Sequence, residues 1–428
     1  MSNKRSMVTA LLLLIALTVS ACGGGGGSAT NQGSEEGSGS KATEKTLRFA
    51  TWDTGDSLKV QQDIAKLFEK QHPGVKVQIE PYADGFDQKL AASFGAGNPP
   101  DVMLMWDFPT YYTNLEPLDS FMSKDASLKL DDIYESLFNY VKVDGQTYGL
   151  PSGFTTRALY YNKKMFDDAG VPYPKDGWTW DDFKAAAKKL SNPAKKQYGF
   201  GIRTSNDPYD LQGIVWSNGG SFVSADGKDI EGQMNSPETA QAIQQFGDML
   251  KDGSAALVGG KNQMSGDDVF KAGKIAMWES GVWPLEGFKT AKVDFGTVEM
   301  PVFPGKPVKG IVALSAISVA KQSKQKDLAW EFTKFFVSNE VIKMRSNSDL
   351  PIRKSLVQEM KFDQNPLYLP FYNMLERSDN TPSFLLNRNW KLVNRYLSTA
   401  IDSVMLGENA QDALNAAVKD AKKYIDKK

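Results

Sequence analysis

The 428-residue sequence holds one cysteine, one histidine and no long apolar run beyond its first twenty-odd residues. Each shortage excludes a class of chemistry. Cys22 has no internal partner, so no disulfide supports the fold. His72 sits alone in Lys70-Gln71-His72-Pro73-Gly74, where a helix is expected to stop. With one imidazole and no second thiol, Ser-His-Asp and Cys-His catalysis lack their parts, and histidine or thiolate metal sites lack ligands. Gly-x-Ser-x-Gly and Gly-x-Gly-x-x-Gly are absent, and the five glycines after Cys22 are not followed by the Lys-Ser/Thr of a phosphate loop. No metal and no cofactor is expected. Two carboxylates suffice for glycoside hydrolysis, so a surface glycosidase stays open as an alternative.

What is present begins at the N-terminus. Lys4 and Arg5 precede an apolar run from Ala10 to Val19. A positive start, about ten apolar residues and small residues before a cut describe a secretory signal, too short for a spanning helix. Val19-Ser20-Ala21-Cys22 resembles a lipobox, which makes Cys22 the expected site of lipid attachment and places the chain on the outer face of the bacterial cytoplasmic membrane. Residues 1–21 are read as the signal peptide and 22–46 as a lipidated, flexible Gly/Ser-rich linker. Without the signal, 48 basic residues face 51 acidic ones, a balance unlike that of nucleic-acid binders. About 380 residues remain, more than one core normally supports, so two lobes are expected.

From Leu47 onward strand-like and helical patterns alternate. Leu47–Trp52, Val75–Ile79 and Asp101–Met105 read as strands, separated by helices that carry Ile64, Leu67 and Phe68, and then Phe86 to Phe94. That order predicts a parallel sheet covered by helices. Asp131–Tyr140 reads as a helix, Asp144-Gly145 as a hairpin turn, and Ala158–Tyr161 as a strand. Thr179 with Asp182, and Ser236 with Pro237, open helices with capping residues in place. Ile275–Trp278, Phe295–Val298 and Ile311–Val319 read as strands, and Trp390–Met405 and Ala410–Ile425 as closing helices broken at Gly407.

Three tryptophans stand beside acids at expected strand ends: Trp52 with Asp53, Trp106 with Asp107, and Trp278 with Glu279. Ligands of parallel α/β sheets bind outside the carboxyl ends of strands. An indole offers a flat apolar face to the C–H face of a pyranose, and a carboxylate accepts from its rim hydroxyls. The pattern points to a neutral carbohydrate.

The chain also resembles the bacterial extracellular solute-binding proteins of the family that includes the maltose-binding protein. The segments that carry the resemblance lie in order over residues 47–425. They are Asn98-Pro99-Pro100-Asp101-Val102, Tyr148-Gly149-Leu150-Pro151, Trp178-Thr179-Trp180-Asp181-Asp182-Phe183, Asn218-Gly219-Gly220-Ser221-Phe222, Phe270–Met277, Ser280-Gly281-Val282-Trp283 and Leu350-Pro351-Ile352-Arg353. The resemblance implies an α/β periplasmic-binding-protein-like fold, with two lobes joined by a hinge crossed several times and the ligand between them. It implies an N-lobe of 47–154 and 313–372 and a C-lobe of 155–312 and 373–428. By the same resemblance the chain is expected to be a monomer without catalysis that hands a carbohydrate, expected to be an oligosaccharide, to the transmembrane subunits of an ABC permease.

Carried over residue by residue, Trp283 matches the family's stacking aromatic, with Val282 in place of a proline. Trp390 falls where a second-lobe aromatic stacks, and Asp107 near the acid that follows the Pro-Asp strand. Trp52 and Asp53 match polar contacts at the end of the first strand. Tyr82, Trp106, Trp216, Asn218, Trp278 and Glu279 complete the candidate ligand-binding set. Thr155 to Arg157 replace a position that is often acidic in relatives, which argues against maltose itself. A charged solute such as a glycerol phosphate or a polyamine is the alternative ligand.

Overall fold

A computed structural model describes residues 44–204, 207–261 and 263–425. Cys22, the segment expected to be a signal peptide and most of the expected linker lie outside these residues.

Twelve strands are present among the described residues: β1 (Lys45–Thr51), β2 (Val75–Pro81), β3 (Val102–Met105), β4 (Lys142–Val143), β5 (Gln146–Thr147), β6 (Leu150–Thr155), β7 (Ala158–Asn162), β8 (Tyr198–Arg203), β9 (Ala255–Val258), β10 (Ile275–Ser280), β11 (Phe295–Val298) and β12 (Ala313–Val319). The first sheet runs β2-β1-β3-β12-β6 and the second β11-β7-β10-β8-β9. In the first, β1 pairs in parallel with β2 and β3, while β12 runs antiparallel to β3 and β6. In the second, β8 pairs in parallel with β9 and β10, while β7 runs antiparallel to β10 and β11. Each sheet carries its own helices, which gives two α/β lobes. We call the lobe of β1 the N-lobe and the other the C-lobe.

The chain moves between sheets where β6 gives way to β7 through Thr156-Arg157, and again between β11 and β12. The first crossing is fastened from both sides. Thr156 Oγ1 donates to the carbonyl of Phe371 at 2.7 Å, and Thr155 Oγ1 accepts from Val282 N–H at 2.8 Å. Helices Trp390–Met405 and Ala410–Ile425 pack with helix Pro237–Lys251 on the second sheet, burying Val393, Leu397, Ile401, Leu414 and Val418. These helices keep the boundaries their apolar stripes predict, because the 3.6-residue period alone sets their buried face.

Two local expectations change. Strand β1 starts at Lys45 rather than Leu47, and the Lys45 N–H donates to Gly74 O at 2.9 Å and extends the ladder to β2. Residues 131–140 form short 3-10 turns rather than a helix, Leu130–Asp132 and Glu135–Tyr140. Between them Ile133 bridges to Arg353, and Tyr134 N–H donates to Ile352 O at 3.2 Å. That tertiary hydrogen bond outcompetes the i→i−4 ladder. The hairpin at Asp144-Gly145 forms as expected, with positive φ at both residues (51° and 81°), as a type I′ turn requires.

Candidate functional site

A cavity of ≈ 880 Å³ opens between the lobes. Such a volume lies in the upper part of the roughly 300–1,000 Å³ range of ligand clefts. Its N-lobe wall is built by the residues that leave β1 and β3. Trp52 and Asp53 follow directly on β1, and Trp106 and Asp107 follow on β3. Parallel strands end on the same side, so the two Trp-Asp pairs emerge together.

Each pair is held in place locally. Trp52 rests edge-on against Phe86, with ring centroids 5.2 Å apart. Asp53 Oδ2 accepts from Thr51 Oγ1 at 2.8 Å and from Gln61 Nε2 at 2.6 Å. Asp107 is buried and caps the short helix Phe108–Tyr111, accepting from Thr110 N–H at 3.3 Å. Trp106 stays 43% exposed and meets Phe384 of the C-lobe at 6.1 Å. Burial pushes the Asp87 carboxyl up, the nearby Asp107 adds to that, and Lys391 and Trp106 oppose it. Burial also raises Asp349, to which Asp53 contributes, while Arg345 and Ser315 stabilise its charge.

The C-lobe wall centres on Trp283, which lines the cavity and is 46% exposed. Its loop is pinned to the crossing by the Val282–Thr155 bond and by Tyr160 O–H donating to Gly281 O at 2.7 Å. Gly281 is required there. A Cβ on it would come within 2.8 Å of both Thr155 Cγ2 and the Trp283 ring. The Arg157 guanidinium lies 4.8 Å from the indole centroid and pairs with Asp210 and Glu279. Tyr209 donates to Val312 O, and helix Trp390–Met405 brings Trp390, Lys391 and Asn394 to the cavity.

Six of the eleven predicted ligand residues therefore share one cavity: Trp52, Asp53, Trp106, Asp107, Trp283 and Trp390. The other five stand elsewhere. Trp278 and Glu279 lie inside β10 rather than at its end, so neither projects past the sheet. Trp278 is buried, donates from Nε1 to Asp267 at 2.8 Å, and fills the space over Gly266, where a Cβ would clash at 2.1 Å. Glu279 pairs with Arg157. Tyr82 does not line the cavity; its ring lies 6.0 Å from that of Phe86 and its hydroxyl donates to Glu80 at 2.6 Å. Trp216 is buried in helix Pro208–Ser217. Asn218 follows it and ties the helix end to helix Pro237–Lys251 by donating to Glu238 O at 2.7 Å.

Sequence reasoning missed Asp87, Asp207, Tyr209, Asp210, Asp349, Phe384, Arg388 and Lys391, which also line the cavity. One signal existed. Asp207-Pro208 marks a helix start, with Asp207 accepting from Tyr209 N–H, and such starts often face ligands. In all, six aspartates, two arginines and one lysine line the cavity, together with four tryptophans.

With this geometry in view, the comparisons with known proteins agree. A putative binding protein of Brucella abortus (strain 2308) is 26% identical over 375 residues, 84% of this chain and 87% of its own. The galactooligosaccharide-binding protein of Bacillus subtilis (strain 168) is 26% identical over 414 residues, 92% of this chain and 93% of its own. An ABC substrate-binding protein of Listeria monocytogenes, solved in complex with cycloalternan, superposes with a TM-score of 0.79 at 26% identity, covering 90% of this chain and all of that one. The profile of the family described as bacterial extracellular solute-binding protein matches residues 52–343. The chain belongs to that family.

Proposed function

We propose that this protein binds a neutral oligosaccharide between its lobes and delivers it to an ABC permease, without turning it over. The observation that carries the reading is the cavity itself: four tryptophans distributed over both walls, interleaved with carboxylates. Stacking on both lobes at once requires them to close, so ligand shifts the population toward the closed form. The Bacillus and Listeria relatives, named for galactooligosaccharide and bound to cycloalternan, support an oligosaccharide over a monosaccharide. Docking on the transmembrane subunits as a monomer, and anchoring through lipid on Cys22, complete the proposal. Cys22→Ala should release the protein from membranes into the medium.

A thermal-shift panel of mono- and oligosaccharides tests the ligand class, since a ligand at 100 times its Kd stabilises by about 2.7 kcal/mol. No shift with any neutral sugar would remove the reading. Reducing ends appearing when oligosaccharides are incubated with the protein would replace binding by hydrolysis.

One observation favours a second reading. Asp53, Asp87, Asp107 and Asp349 stand on the N-lobe wall with no Lys or Arg of that lobe lining the cavity among the described residues. That wall suits a polyamine better than a phosphate, and spermidine in the same panel separates the two ligand classes.

A further inference from the structure

We propose that Glu279 is a positioning residue for Trp283, acting through Arg157, so that the presentation of the indole depends on the charge of a carboxylate outside the cavity. The inference rests on the reading of Trp283 as a stacking platform.

Three groups form a short chain from the interior to the ligand space. Glu279 Oε1 lies 3.4 Å from Arg157 Nε, and the Arg157 guanidinium lies 4.8 Å from the Trp283 centroid. Glu279 belongs to the central strand β10, paired on both sides, so its backbone is fixed. Trp283 stands three residues past that strand in a loop, so its ring depends on what it rests on. The cation lies over the indole, and the residue remains 46% exposed. Arg157 is buried and Glu279 half-buried, with side chains 9% and 12% exposed, and Arg157 Nη1 and Glu279 Oε1 have no hydrogen-bond partner among the described residues. Glu279 holds Arg157 by charge, whereas Asp210 accepts from Arg157 Nε at 3.1 Å and from Nη2, so the guanidinium is shared between two carboxylates and shifts toward Asp210 when Glu279 loses its charge.

The groups facing Glu279 are Arg157 and Asp210 on one side and Arg203 on the other, and Arg203 Nη2 donates to the Glu279 carbonyl at 3.0 Å. Arg157 in turn faces Asp210 and Tyr209. Asp210 keeps a hold on Arg157 when Glu279 is neutral, so loss of the Glu279 charge should reorient the guanidinium rather than expel it. Burial pushes the Glu279 carboxyl up to about 7, which Arg157 and Arg203 oppose and Asp210 reinforces. The rearrangement therefore falls near neutral pH.

The test is ¹⁹F NMR of the protein labelled with 5-fluorotryptophan, with the Trp283 resonance identified by its loss in Trp283→Phe. In the wild type that resonance should titrate between about pH 6 and 8, around the Glu279 value. In Glu279→Gln, which keeps the shape, it should sit at the low-pH position and not titrate. A Trp283 resonance indifferent to both pH and Glu279→Gln overturns the inference. Titration that persists in Glu279→Gln also overturns it, since another acid would then be responsible. A parallel arm measures maltotriose and galactotriose affinity by calorimetry. Glu279→Gln should weaken binding at pH 8 by about three-fold or more, as for contacting residues that couple. If Trp283→Ala leaves affinity unchanged while the NMR result holds, the stacking reading fails and the positioning of Trp283 stands.

Discussion

Arg388 of the C-lobe reaches Asp144 of the N-lobe at 2.6 Å, 244 residues away in sequence, and its guanidinium lies 5.2 Å from the Tyr112 ring centroid. Arg388 lines the cavity, whereas Asp144 is the exposed tip of the β4–β5 hairpin and does not. The pair fastens the lobes at the rim without needing ligand.

Asp144→Ala should therefore weaken sugar binding modestly without touching the sugar. An exposed ion pair contributes roughly 0.2–1 kcal/mol, which is a few-fold at most in affinity. The defect should shrink as salt rises, because exposed charges are screened. Calorimetry at low and high ionic strength checks this, and a defect independent of salt would contradict it.

Trp106 and Trp283 are the two most exposed tryptophans of the site, at 43% and 46%. Truncating either should cost little stability and much affinity, on the order of 1–3 kcal/mol as for an aromatic hot spot. Trp106→Ala and Trp283→Ala should each raise Kd by about ten-fold or more while Tm stays within a few degrees of the wild type. A large fall in Tm with unchanged Kd would assign both rings to packing.

The pH dependence of stability carries a sign. Folding raises the Glu279 carboxyl from 4.5 to about 7, chiefly by burial. Between those values the folded protein binds more protons than the unfolded chain, so this group destabilises progressively as pH rises through the window and levels off above about 7. Glu279→Gln lacks that loss. Urea denaturation should show the variant gaining on the wild type from pH 5 to pH 8. A constant difference across that range would contradict the assignment.

Thr179 and Asp182 form a complete capping box on helix Trp180–Leu190, away from the cavity. Thr179→Ala should cost about 1 kcal/mol of stability and leave sugar affinity unchanged. Paired urea melts and calorimetry separate the two effects.

The elements and pairings that were legible in the sequence are those written in local chemistry. Helices with full apolar stripes, the Thr179 cap and the Asp144-Gly145 turn needed only neighbouring residues. Trp52-Asp53 and Trp106-Asp107 were readable because they follow parallel strands, whose ends converge by topology. Trp278-Glu279 looked alike in sequence, but β10 runs on to Ser280 and keeps both side chains within the sheet. Asp349 and Phe384 arrive at the cavity from segments with no periodic or capping signal, through contacts such as Arg345 with Asp349 and Trp106 with Phe384. Arg157 was visible only as a departure from the family's acidic position. Its role beneath Trp283 emerges from three-dimensional contacts with Asp210 and Glu279.

The most direct measurement is a calorimetric titration of neutral oligosaccharides and of spermidine into the wild-type protein and Trp283→Ala. The account predicts saturable one-to-one binding of at least one neutral oligosaccharide, with a Kd in the micromolar range, or about −8 kcal/mol, that weakens by about ten-fold or more in the variant. Heat only from spermidine, or a sugar bound equally well by both proteins, would contradict it.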